Sequence, residues 1–143
     1  MTARTKARKR ALDVLYAADV RGVQSSEVLA ELVAERLAAR DSINPYTVEL
    51  VEGVNAHQER IDELLITHAQ GWALDRMPVV DRNLLRIGVF EILWQREVPD
   101  AVVASEAVEL STQISTDDSP KFINGLLGRI IEIKPMLPEG RPE

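Results

Sequence analysis

The sequence predicts an all-α fold, a compact bundle of about six to seven helices. Three observations carry this. Apolar residues recur at i, i+3 and i+4 along nearly the whole chain. No segment sustains period-two alternation between hairpin turns. Helix-start punctuation (Asn44-Pro45, Pro78, Ser119-Pro120) falls just ahead of the periodic stretches. The 143 residues suffice for about one domain with a sizeable core. The expected organisation is one helical domain over residues 1–134 and a loose tail over 135–143, which holds three of the seven prolines.

The first helix is expected over about residues 3–21, with Ala11, Leu12, Val14, Leu15 and Ala18 on its apolar side and Gly22 at its C-terminal end. Ser25 and Ser26 are N-cap choices for a second helix to about Arg40, with Val28, Leu29, Leu32, Val33 and Leu37 as its buried stripe. Asn44-Pro45 opens a stretch that keeps helical phase to Gly71, as one long helix or as two broken near Asn55–His57. Pro78 opens the next helix, carried by Leu84, Ile87, Phe90, Leu93 and Trp94 to about Arg96. Asp100 is a cap for a following segment through Ile114. Ser119-Pro120 starts the last, whose stripe is Phe122, Ile123, Leu126, Leu127, Ile130 and Ile131, with Pro135 as its stop.

Charge is distributed unevenly. The net charge is −6, yet residues 1–10 hold Arg4, Lys6, Arg8, Lys9 and Arg10 and no acid. The other 133 residues hold 12 bases against 23 acids, a local net of −11. A basic end on an acidic body points to a polyanionic partner for that end. No apolar run reaches the ~18 residues of a membrane span, so no membrane partner is expected. The basic start lacks the apolar stretch of a secretory leader. The chain has no cysteine, which excludes disulfides, thiolate nucleophiles and cysteine zinc sites and fits a reducing compartment, the cytoplasm.

Catalytic patterns are missing. His57 and His68 stand about 16 Å apart along a continuous helix, too far for one metal. The adjacent acids Asp62-Glu63 and Asp117-Asp118 point about 100° apart on a helix and do not converge. Glu91 and Glu106 fall among apolar residues and suit pairing with arginines such as Arg82 or Arg86. No phosphate loop or nucleophile elbow occurs. The expectation is a binding protein with neither enzymatic activity nor cofactor.

On a helical wheel the cations of the first helix surround its opening turns, so this end is expected in solvent or against a polyanion. Tyr16 lies nearly in line with Lys9, about 10 Å further along. Cations beside aromatic platforms are the pattern of single-strand binding. Tyr16 and Phe122 are the candidate platforms, with core packing as the other reading of both rings. Phe122 follows Lys121 at a proline-fixed helix start, where N–H groups favour phosphate.

Arg8-Lys9-Arg10-Ala11-Leu12 with Leu15-Tyr16 resembles the arginine-rich first helix of the NusB family of transcription antitermination factors. Asp81-Arg82-Asn83-Leu84-Leu85-Arg86-Ile87 with Phe90-Glu91-Ile92-Leu93 resembles its central signature. Val98-Pro99 through Ser105-Glu106-Ala107-Val108-Glu109-Leu110, then Lys121-Phe122-Ile123-Asn124-Gly125-Leu126-Leu127, complete a match over roughly residues 4–131. The resemblance implies two small helical subdomains sharing one core. It implies binding of boxA-type single-stranded RNA from ribosomal RNA leaders, together with NusE, a small-subunit ribosomal protein. Through that complex it implies NusA, NusG and RNA polymerase as partners. Carried over by position, the RNA face is Arg4, Lys6, Arg8, Lys9, Tyr16, Lys121 and Phe122, and the NusE-type contact lies around Asp81, Leu85 and Phe90. Two other readings stand beside it. One is a stand-alone relative of the RNA-docking domain of rRNA cytosine methyltransferases. The other is a protein adaptor or homodimer, which has no need of a basic end.

Overall fold

The computed structural model describes residues 2–140, and these form six α-helices and three short 3-10 turns. They gather into two compact units, Met1–Ala56 and His57–Glu143, where the sequence suggested a single domain.

In the first unit, α1 (Ala3–Arg21) begins behind Thr2, whose hydroxyl accepts the Thr5 N–H at 3.0 Å. It ends at Gly22, whose φ of 69° closes the helix by bonding back to the Ala18 and Asp19 carbonyls. α2 (Ser25–Ala38) follows Gln24 and has no side-chain cap. Ser25 is its first residue and lies 3.4 Å from the Asn55 side chain. A bidentate Arg21–Glu31 pair joins α1 to α2 at 2.8 and 3.1 Å and holds the Glu31 carboxyl below its ordinary range. α3 (Pro45–His68) opens on Asn44, whose Oδ1 accepts the Tyr46 N–H at 2.9 Å, and runs unbroken past Asn55–His57. Ala11, Leu12, Leu15, Val28, Leu29, Leu50, Val51 and Val54 are buried here. Leu37, expected in the buried stripe of α2, is 68% exposed, and Leu32 and Val33 are half-buried.

The second unit is built around α4 (Val79–Trp94), with α5 (Asp100–Ile114), α6 (Ser119–Ile133) and the later turns of α3. Asp81, and every residue from Asn83 to Leu93, is buried, so α4 is the central helix of this unit. Leu84, Leu85, Ile92, Leu93, Leu110, Ile123, Leu126 and Leu127 are almost wholly excluded from water, and each such side chain stabilises by about 1.5–3 kcal/mol. Gly88 makes the close approach of α4 to α6 feasible, since a Cβ there would lie 2.9 Å from both methyl carbons of Leu127. Arg86 pairs with Asp62 of α3 at 2.9 and 3.1 Å and donates to Asn83 at 3.0 Å. Asp100 does not cap α5; it is the first residue of that helix and holds Lys134 Nζ at 3.0 Å.

The expected loose tail is ordered as far as it is described. Lys134–Met136 and Pro138–Gly140 are 3-10 turns. The Glu139 carboxylate takes an ion pair from Arg60, and its carbonyl accepts from Arg96 at 3.1 Å. Residues 141–143 of that expectation lie outside the described residues. Charge also divides by unit: Met1–Ala56 carries 8 bases and 8 acids, and His57–Glu143 carries 9 bases and 15 acids.

Candidate nucleic-acid interface

The first turns of α1 carry Arg4, Lys6 and Arg10 on their exposed side, with no acid in the first turn. A helix N-terminus carries positive partial charge, so cations there repel it by about 0.3–1 kcal/mol each at low ionic strength. An anion placed against them meets both fields at once. Lys9 is half-buried and pairs with Asp13 one turn on, at 2.7 Å. Tyr16 is 42% exposed and offers ring surface on α1.

Arg8 is 3% exposed and departs from the expected arrangement. It lies on the buried side of α1 with Thr5, Leu12 and Leu15, three, four and seven residues away along the same stripe. Its guanidinium carbon sits 5.7 Å from the Tyr46 ring centroid. Arg4 lies over the same ring at 4.4 Å. Tyr46, itself buried, thus holds two guanidinium groups by their attraction to its π face. Arg8 is therefore a packed side chain, and the cations left exposed at the α1 start are Arg4, Lys6 and Arg10.

In the second unit, Lys121 is exposed and Phe122 half-buried on the first turn of α6. Phe122 meets Trp72 ring to ring, with centroids 6.0 Å apart and planes tilted by 57°. Both rings line a cavity of about 640 Å³ that also receives Lys121 and Arg129. The sequence reading selected Phe122 and Lys121 and passed over Trp72, although an aromatic beside Gly71 in a turn was a visible signal. No grouping of three or more metal-ligating side chains that could hold an ion occurs among the described residues. None of the described helices is long and apolar enough to cross a membrane.

The NusB family model matches residues 5–132. The chain belongs to the NusB family. The transcription antitermination protein NusB of Beutenbergia cavernae is 57% identical over 96% of this chain and 94% of its own length. A crystal form of the T. maritima NusB superposes with a TM-score of 0.79 at 29% identity, covering 92% of each chain. A crystal structure of antitermination factors NusB and NusE in complex with dsRNA superposes with a TM-score of 0.77 at 31% identity, covering 90% of this chain and 96% of that one.

In this NusB-family chain the three residues expected to contact a NusE-type partner are interior. Asp81 is 2% exposed and accepts hydrogen bonds from Ser115 Oγ and, at 2.7 Å, from Ser119 Oγ. Its work is to fasten the start of α4 to the turn between α5 and α6. Leu85 is fully buried, and Phe90 is buried in the stack of His57 and Trp94, 6.2 and 6.0 Å from their ring centroids. All three side chains are thus packed within the second unit.

Proposed function

We propose that this chain works by assembly on nascent RNA: it holds boxA-type single-stranded RNA of ribosomal RNA leaders and binds a NusE-type small-subunit ribosomal protein. The resulting complex joins NusA, NusG and RNA polymerase. As a NusB-family transcription antitermination protein it is not an enzyme. The observation that carries the RNA reading is the exposed set Arg4, Lys6 and Arg10 at the positive end of α1. Arg4 and Lys6 oppose the dipole of the first turn, and a polyanion gains from all three charges. A NusB relative crystallised with NusE and dsRNA supports an RNA and a NusE-type protein as partners. Exposed ring surface on Tyr16 and Trp72 supports unpaired bases as the target, because paired bases do not offer their faces. The acidic second unit favours a basic protein through its field.

The test is a salt titration of binding to boxA-type, scrambled and double-stranded RNA, with and without the NusE-type protein. The boxA single strand should bind most tightly and more so with the partner. Equal affinity for boxA-type and scrambled RNA throughout would refute sequence-specific antitermination.

A second reading, pairing with another copy of this chain, is favoured by the uncovered apolar side of α2. Leu29, Val33 and Leu37 line a groove there with Val48 and Val51 of α3. Sedimentation across a concentration series with a Leu37→Glu control tests it: a dimer that the substitution abolishes supports it, and a monomer at every concentration removes it.

A further inference from the structure

We infer that residues 134–140 form a strap latched onto the second unit by charge, which opens and recloses while the helices stay folded and so uncovers the His57–Trp94 stack. This goes beyond the assembly reading above and stands independently of it. The strap consists of the 3-10 turns Lys134–Met136 and Pro138–Gly140 that follow α6, and the second of them packs on α4. None of residues 134–140 is buried. Met136 is 67% exposed and Leu137 half-buried, so the strap gains little from the apolar burial that holds α4. Its own backbone bonds are local ones, from Leu137 N–H to the Lys134 carbonyl and from Gly140 N–H to the Leu137 carbonyl, both 3.1 Å.

Polar contacts fasten the strap at both ends. At its start, Lys134 Nζ pairs with both carboxylate oxygens of Asp100, at 3.0 and 3.3 Å. At its end, the Glu139 carboxylate accepts from Nε and Nη2 of Arg60 on α3, and its carbonyl accepts from Arg96 at 3.1 Å. Arg60 holds that carboxyl below its ordinary range, and the field of His57, one turn earlier on α3, acts in the same direction. The His57 ring lies nearly parallel to Trp94, with centroids 4.1 Å apart and planes 13° from coplanar. Both rings are half-buried, and the Glu139 end of the strap lies beside them. Arg60 already shares its guanidinium with Glu63, three residues on, so a partner remains for it when Glu139 leaves. Part-exposed ion pairs weaken with salt, whereas the apolar core of the unit does not. A segment held in this way opens at a lower free energy than the helices beneath it.

A glutamyl-specific protease at limiting activity reads the opening in the full-length protein, because Glu139 can enter its cleft only with the carboxylate released. In that regime the cleavage rate follows the population of the open form. Intact mass assigns each cut, and a short glutamate-containing peptide corrects for the protease at each salt concentration. Glu91, 1% exposed in α4, is the internal reference, since cutting there requires the unit to unfold. Cleavage after Glu139 should outpace cleavage after Glu91 by at least about a hundredfold. Arg60→Gln should speed it about tenfold, the scale of one charge-assisted hydrogen bond, and Lys134→Gln should act in the same direction from the other end. Raising salt from about 50 to 500 mM should speed the parent severalfold and Arg60→Gln less. In a Trp72→Phe background Trp94 is the sole indole, and its acrylamide quenching should rise with the same salt and the same substitutions. Circular dichroism checks that each variant keeps its helices. Equal cleavage rates after Glu139 and Glu91, moving together with salt and substitution, would overturn the strap, because the segment would then leave only with the whole unit. Fast cleavage after Glu139 that ignores salt and both substitutions refutes the latch. Faster cleavage with Trp94 quenching unchanged refutes the cover over the stack.

Discussion

Replacing Arg4, Lys6 and Arg10 together by glutamine removes the three exposed cations of the α1 start and keeps a polar, helix-compatible side chain at each position. Each phosphate neutralised on a single strand contributes about −0.7 to the log–log slope of affinity against salt. Three contacts therefore account for a slope of about −2.1. Across a fourfold rise in salt, from about 50 to 200 mM, that share alone weakens binding about 18-fold, and the triple variant should lose that part of the salt response. Arg8 is excluded from the count because it is only 3% exposed, and Lys9 because Asp13 already pairs with it. The substitution should not harm the fold. Arg4 and Lys6 lie in the first turn, where cations oppose the dipole by about 0.3–1 kcal/mol each, and loss of the Arg4–Tyr46 contact, about 0.5–1 kcal/mol at an exposed site, offsets that gain, so melting should change little. Fluorescence anisotropy of a labelled boxA-type strand over the salt series, beside a thermal melt, reads both quantities. An unchanged slope in a normally folded triple variant would refute the assignment of phosphate contacts to this turn.

Arg8→Met should lower stability by about 2 kcal/mol, the scale of a desolvated cation–π contact, and leave the salt slope of RNA binding intact; urea unfolding and the same anisotropy series separate the two. Asp81→Ala should cost about 3 kcal/mol in urea unfolding, because Ser115 and Ser119 lose a charged acceptor. Arg60 holds the Glu139 carboxyl below its ordinary value of 4.5, so this pair contributes stability above that pH and loses it as pH falls through the lower folded-state value. Glu139→Gln should therefore be less stable than the parent at pH 7, and the two should converge in acid; a difference that persists at the lowest pH of the transition would contradict this origin.

Local signals in the sequence located the helices well, because caps and breaks act within a few residues. Gly22 ends α1 where a left-handed residue is required, and Asn44 and Pro45 open α3 together. Periodicity shows which residues share a face but not what covers it, and Leu37 is exposed for that reason. The thinning of apolar residues at Asn55–His57 did not break α3, since a helix can continue through a polar turn. Of the residues expected on the RNA side, Arg4, Lys6 and Lys121 are exposed, as helix-start reasoning anticipated, and Tyr16, for which core packing was the other reading, is exposed as well. Arg8 was misplaced because its burial depends on Tyr46, a partner far along the chain that a helical wheel does not contain. Asp81, Leu85 and Phe90 stand in the family's central signature, but a signature carries position and not exposure, and α4 is the helix its unit closes around. Trp72 needed the fold to bring it to Phe122 across some fifty residues of sequence.

The cations crowded at the positive end of α1 have a thermodynamic consequence for the protein between binding events. Without a polyanion, Arg4 and Lys6 repel the helix terminus they stand on, a cost that the Thr2 cap and the Arg4–Tyr46 contact offset. A bound phosphate chain reverses the sign of that interaction, so RNA acts as a ligand of the folded state and raises its melting point with concentration. Under the proposed RNA reading, occupancy and order at this terminus are one linked equilibrium: salt that releases the RNA also loosens the first turn of α1, and hydrogen exchange there reads how much RNA is held.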